Sequence, residues 1–285
     1  MAIVKDFETN HFPTWCPGCG NFGIWTTLKQ ALVKLGFEPH EVLIVFGIGC
    51  SGNETNFLHG YGFHGLHGRP IPVAHGAKIA RHTTKVIAVG GDGDGYGEGL
   101  SHFIHANRGN AEITYIVHDN QVYGLTKGQT SPTSEKGYKS SSTPSGVIEK
   151  PINPLALALA AEATFVAQGF SGNANHLVDL MVKALEHPGF SLLNVLQPCV
   201  TFNHHNTFQW FYRRVYELEK NGYKPNDRMK AMEKARQWGD KIPIGVLYEE
   251  TRDTYEGDLP QLGNVPLADE NLDNIDISPL LKELA

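Results

Sequence analysis

No apolar run in the 285 residues approaches the roughly 18 that a membrane-spanning helix needs. The N-terminal MAIVKDFETNHF has no apolar segment of the secretory type, so a cytoplasmic protein is expected. Disulfides are not expected in that compartment, and the only four cysteines need another role. No block of like charge occurs and the formal net charge is −6, which argues against a nucleic-acid partner. Two phosphate-binding signatures are missing as well. There is no Gly-Lys dipeptide for a P-loop, and no glycine from 90 to 99 starts the n, n+2, n+5 triplet of a dinucleotide-binding turn. The 14 histidines include no H-E-x-x-H pair, and singly most read as loop or packing residues.

What is present is 41% hydrophobic and 19% charged, ordinary for a soluble globular chain. Ile24, Leu28, Ala31, Leu32 and Leu35 share one face, predicting a helix over 22–35 with Gly36 as its stop. A short β-branched run predicts a strand at 42–46, and short, mainly apolar runs predict others at 86–89, 113–118, 165–168 and 192–196. Helices are predicted over 71–82, 100–107 and 176–186, and another starts at the Asn153-Pro154 cap. Trp210, Phe211 and Tyr212 read as a packed helix face. The alternation implies the α/β class, a mostly parallel sheet with helices on both faces. Residues 47–70 and 126–147 read as long loops, and one domain over 1–258 with a tail over 259–285 is the simplest division.

The stretch VIAVGGDGDGYGEGL at 86–100 sets Asp92 and Asp94 among glycines just past a strand. Such a cradle suits phosphate, yet carboxylates repel phosphate. Magnesium reconciles the two, because it takes hard oxygen ligands and bridges protein to diphosphate. Adjacent strand ends bring the Asp92 carboxylate and the Asn120 amide toward one ion, at the edge where parallel sheets bind ligands. The backbone amides of Gly91, Gly93 and Asp94 are then candidates for the phosphate oxygens. A glycine-rich turn with solvated aspartates is the plainer alternative. Gly91-Asp92-Gly93 followed by Asn120 resembles the thiamine-diphosphate motif, which implies that Asp92, Asn120 and the Val122 carbonyl hold Mg2+.

Cys16 and Cys19 form a C-x-x-C knuckle in TWCPGCG, with Cys50 and Cys199 scattered later. Four thiolates suit zinc or a [4Fe–4S] cluster, and spacing alone leaves both open beside buried free cysteines. TWCPGCG, GIGCSG, HGR at 67–69, GGDGD and N-x-x-Y-G-x-T at 120–126 occur in this order. The series resembles the beta subunit of 2-oxoacid:ferredoxin oxidoreductases, from about Phe12 to Tyr255. The resemblance implies the thiamine-diphosphate-binding fold, with Cys16, Cys19, Cys50 and Cys199 on a [4Fe–4S] cluster. It further implies Ile48, Gly49, Cys50, Ser51 and His67 against thiamine, and Gly124 and Leu125 beside its diphosphate.

The expected activity is oxidative decarboxylation of a 2-oxoacid with coenzyme A to acyl-CoA, CO2 and reduced ferredoxin, or the reverse. No side chain reads as a nucleophile, so the cofactor carries the chemistry. His67 and Lys127 are the side chains singled out for a catalytic part. Lys127 in YGLTKGQ and Arg69 offer a cation for the second carboxylate of 2-oxoglutarate, favoured over pyruvate. An alpha subunit, alone or fused to a gamma domain, is expected to supply the carboxylate that activates the pyrimidine ring. A non-oxidative thiamine enzyme and a zinc-stabilised non-catalytic module are the alternatives.

Overall fold

Successive residues of a strand face opposite ways, and the central strands here are apolar on both sides. The computed structural model describes residues 1–271, 273 and 275–284. Its strands are β1 (Val42–Phe46), β2 (Tyr61–His64), β3 (Lys85–Gly91), β4 (Thr114–Asp119), β5 (Val122–Tyr123), β6 (Gln129–Thr130), β7 (Phe165–Phe170), β8 (Ser191–Leu196), β9 (Val215–Glu217) and β10 (Ile242–Glu249). Eight of them form one sheet in the order β2-β1-β3-β4-β8-β7-β10-β9, while β5 and β6 make a separate antiparallel ribbon. Every neighbouring pair in the large sheet is parallel except β7 and β10.

The helices are α1 (Asn21–Lys34), α2 (Pro70–Ala80), α3 (Leu100–Gly109), α4 (Pro154–Ala160), α5 (Ala174–Glu186), α6 (Phe208–Tyr212), α7 (Arg228–Ala235) and α8 (Ser278–Glu283). Ile44, Ile87, Ile116, Leu193 and Ala167 point to the face covered by α1 and α5, through Leu28, Leu32, Leu177 and Met181. Their strand neighbours Val45, Ala88, Val117, Leu192 and Val166 point to the other face, under Ile71, Phe103, Leu155 and Ala231. The helices thus lie on both faces, as the α/β reading expects. Asn153 caps α4 by accepting the Ala156 N–H at 3.0 Å, with Pro154 at the first helical position.

Three features depart from the sequence reading. The 47–70 loop contains β2, whose four residues are exposed on the outer edge of the sheet; its YGFH lacks the apolar alternation of a buried strand. The 126–147 loop contains β6, which pairs back on β5 just before it. Strand β10, unexpected from the sequence, runs antiparallel to β7 with a register shift between Val246 and Tyr248. Pro243 and Gly245 interrupt its pattern, and Gly245 takes φ +133°. Phe211 of α6 packs with Phe170, Ile242 and Ile244, as expected of a packed face, but Tyr212 departs from that reading: it meets Phe170 edge-on and stays 57% exposed.

Candidate cofactor site

The winding reverses at β1: the chain runs outward from β1 to β2, then crosses back past β1 to β3 on its other side. Ligand crevices of open parallel sheets lie beyond the strand ends at such a switch point. The loops after β1 and β3 meet there and enclose a cavity with the β4–β5 turn. Its wall contains Ile48, Gly49, Cys50, Ser51, His67, Gly91, Asp92, Gly93, Asp94, Asn120, Val122, Gly124 and Leu125. Every one of these residues is a candidate from the sequence. Lys127 is another, but it is exposed, takes φ +78° and lies outside the wall. The turn closed by Lys127 N–H on Gly124 C=O carries it past the rim.

Asp94 organises the cavity. One of its carboxylate oxygens accepts the N–H groups of Gly68 at 2.8 Å and Ile48 at 3.0 Å, and lies 3.2 Å from His67 Nδ1. A single buried side chain thereby ties the GIGC loop to the HGR turn. Burial raises its pKa, and these amides together with His67 oppose the rise. A Cβ on Gly47 would collide with this carboxylate, so only glycine fits there.

Asp92 is 1% exposed. One carboxylate oxygen accepts Ser131 Oγ and, at 2.6 Å, Thr133 Oγ1. Among the described residues no Lys, Arg or His forms an ion pair with it. Burial drives its pKa upward, with the Ser131 and Thr133 hydroxyls opposing. A buried carboxylate without a counter-ion suits a bound cation. Asn120 stands opposite: its Oδ1 accepts Val122 N–H at 3.0 Å and its Nδ2 donates to Gln197 Oε1 at 3.0 Å. Asp92, Asn120 and the Val122 carbonyl therefore fit as a hard-oxygen set for magnesium in the wall of one cavity. Thr133 Oγ1 also lies 2.9 Å from Asp119 Oδ1, on a carboxyl whose pKa burial and the Asp92 charge push up to about 7.

A second hollow of about 250 Å³ adjoins the first and shares Cys50, Asn120, Gly124 and Leu125 with it. Cys16, Cys19, Cys50 and Cys199 all line it. Trp15 closes it on one side, donating Nε1–H to Cys50 C=O at 2.7 Å and packing edge-on against Phe57. Burial pushes the Cys19 thiol up to about 12 and Cys50 up to about 11, and the neighbouring cysteines add to both. Such a group ionises when a cation or cluster supplies compensating charge. A tetrahedral zinc at about 2.3 Å from each sulfur would need thiolates about 3.8 Å apart. Among the described residues no three His, Cys, Asp or Glu side chains converge on a single ion. The thiols instead surround a volume, which fits a cluster of several atoms.

Sequence reasoning missed Ser131, Thr133 and Gln197, and gave Tyr123 of the N-x-x-Y-G-x-T string no role. The first two lie in a hydroxyl-rich stretch that looks like solvated loop, and their burial by Asp92 has no periodic signature. Gln197, two residues before Cys199, gave only its proximity as a signal.

Two family models match the chain. The thiamine pyrophosphate enzyme C-terminal TPP binding domain covers residues 47–195, and the C-terminal part of the pyruvate ferredoxin oxidoreductase beta subunit covers 199–264. The 2-oxoacid:ferredoxin oxidoreductase subunit beta of Saccharolobus solfataricus is 43% identical, over 94% of this chain and 95% of that protein. The chain belongs to the 2-oxoacid:ferredoxin oxidoreductase beta-subunit family. The 2-oxoglutarate oxidoreductase subunit KorB of Mycobacterium tuberculosis is also 43% identical, over 70% of this chain and 53% of its own length. A solved 2-oxoglutarate:ferredoxin oxidoreductase from Magnetococcus marinus, with 2-oxoglutarate, coenzyme A and succinyl-CoA bound, superposes with a TM-score of 0.86. It is 40% identical and matches 89% of this chain and 87% of its own.

Proposed function

We propose that this beta subunit holds thiamine diphosphate, Mg2+ and a [4Fe–4S] cluster, and works on 2-oxoglutarate with coenzyme A and ferredoxin. The observation that carries this reading is the shared wall: Cys50, Asn120, Gly124 and Leu125 line both the switch-point cavity and the four-cysteine hollow. Those four residues give an electron a short way from the first cavity to the second. Bound thiamine would supply the electron sink for decarboxylation.

The chain's own part is positional. Asp92, Asn120 and the Val122 carbonyl hold magnesium, and the Gly91, Gly93 and Asp94 amides with Gly124 and Leu125 receive the diphosphate. Asp94 fixes the Ile48–Ser51 loop and His67 at the thiamine-facing wall. Cys16, Cys19, Cys50 and Cys199 hold the cluster. Lys127 is given no chemical step, since it stands outside the wall. The substrate assignment leans on relatives whose names carry 2-oxoglutarate, among them the two described above. No helix among the described residues is long and apolar enough to cross a membrane, and we place the complex in the cytoplasm.

Anaerobic purification with its native partner, followed by iron, acid-labile sulfide and thiamine diphosphate analysis, tests the cofactors. About four irons and four sulfides per chain are expected, and zinc or a thiamine-free protein would defeat the reading. Comparing kcat/KM for 2-oxoglutarate and pyruvate tests the substrate; a strong pyruvate preference would reverse the assignment.

A further inference from the structure

Gln197 lies between the two cofactor positions and touches a proposed ligand of each. It is 1% exposed. Its Nε2 lies 3.3 Å from Cys19 Sγ and 3.0 Å from Pro198 C=O, and its Oε1 accepts Asn120 Nδ2 at 3.0 Å. Backbone groups fix both amide orientations. A Pro198 carbonyl can only accept, so the Gln197 NH2 faces it and Cys19. The Val122 N–H can only donate, so Asn120 presents Oδ1 to it and its NH2 to Gln197. The result is a one-directional chain of hydrogen bonds, Asn120 to Gln197 to Cys19 sulfur.

We propose that Gln197 is a positioning residue that couples occupancy of the magnesium position to the reduction potential of the cluster. The inference rests on the cofactor reading above. Hydrogen bonds to cysteine sulfur withdraw electron density and favour the reduced cluster. A cation on Asn120 Oδ1 polarises its NH2, strengthens the bond to Gln197 Oε1 and, cooperatively, the bond from Gln197 Nε2 to sulfur. Loading magnesium and thiamine diphosphate would therefore raise the cluster potential. The cluster becomes the better electron acceptor when the electron source is in place.

The test is a redox titration of the anaerobic complex, with cluster reduction followed by electron paramagnetic resonance. It is run with and without magnesium and thiamine diphosphate, on wild type and on Gln197→Met, which keeps length and packing but donates no hydrogen bond. The wild-type potential should be more positive when loaded. The Met variant should be more negative than wild type in both states, and its loading-dependent shift should be less than half as large. A wild-type potential indifferent to loading would overturn the proposal without any variant. A Met variant with the full wild-type shift would overturn it too, since the magnesium charge would then act through space. Iron and sulfide content is measured first. Protein without a cluster refutes the cofactor reading and this inference together, whereas loaded protein with unchanged potentials refutes only the inference. If the Met variant alone loses its cluster, Gln197 supports ligation and not coupling, and the proposal falls.

Discussion

Glu54, four residues past Cys50, is fully buried and neither of its carboxyl oxygens is hydrogen-bonded. Burial pushes its pKa up to about 8 from 4.5, with the Lys29 ammonium opposing. Between those values the folded chain holds a proton that the unfolded chain has released. Its contribution is therefore fully present below pH 4.5 and declines up to about pH 8, by up to about 1.4 kcal/mol per pH unit. Glu54→Gln keeps the shape and cannot ionise. Melting temperature against pH should fall less steeply for this variant than for wild type, with the largest gain at the alkaline end. Superimposable profiles would mean Glu54 does not carry the proton. Asp92 and Asn120 make a second residue-scale contrast. Asp92→Ala removes a charged ligand and should abolish magnesium-dependent thiamine binding, while Asn120→Ala removes a neutral one and should weaken it less. Titrating thiamine diphosphate at fixed magnesium ranks the two; equal or reversed losses would remove the proposed magnesium set.

At the scale of elements, the turn that continues β3 is unusual: Gly93–Glu98 is π-helical and leads directly into α3. Such turns are rare and cluster at functional sites. A Cβ at Gly95 would strike the hydroxyl of Tyr115, which is itself fully buried, and one at Gly93 would strike the ring of Tyr123 in the cavity wall. Tyr115 has no room to retreat, whereas the half-buried Tyr123 can swing toward the cavity. Gly95→Ala should then cost about 1–3 kcal/mol of stability as overpacking, read by denaturant melts. Gly93→Ala should cost less stability but more thiamine affinity; equal effects of the two on both readouts would contradict this geometry. The element scale also shows what the sequence could convey. β1, β3, β4, β7 and β8 announce themselves because buried parallel strands are short, mainly apolar runs, and the ends of several carried the glycine–aspartate and cysteine motifs into view. β10 did not, since a proline and a positive-φ glycine break its run. The Ser131 and Thr133 clasp on Asp92 and the Gln197 bridge were equally illegible: both depend on which loop folds over which strand end, and no local period encodes that.

At the scale of the molecule, the large sheet consumes the chain from Val42 to Glu249, and beyond it the described residues are mostly exposed, with α8 the one α-helix. Thiamine diphosphate has two ends to hold. In the proposed arrangement the switch-point cavity takes the diphosphate, and no second unit of about 150 residues remains within these 285 to hold the aminopyrimidine ring and its activating carboxylate. The cavity rim points the same way. Leu66, beside His67, is 76% exposed and Leu125, in the wall itself, is 50% exposed. Exposed apolar side chains grouped at a site mark a surface that another protein covers. We therefore expect the chain alone, supplied with magnesium, thiamine diphosphate and a reconstituted cluster, to show no 2-oxoacid-dependent ferredoxin reduction. Adding the alpha partner should restore turnover, and thiamine affinity should rise on assembly because each binding event favours the other. Leu66→Asp should weaken assembly about tenfold or more, by burying an unpaired charge in the interface, while leaving the melting temperature of the free chain unchanged. Full turnover by the isolated chain would overturn the split-site argument. Undiminished assembly of the Leu66→Asp variant would move the partner surface away from this rim.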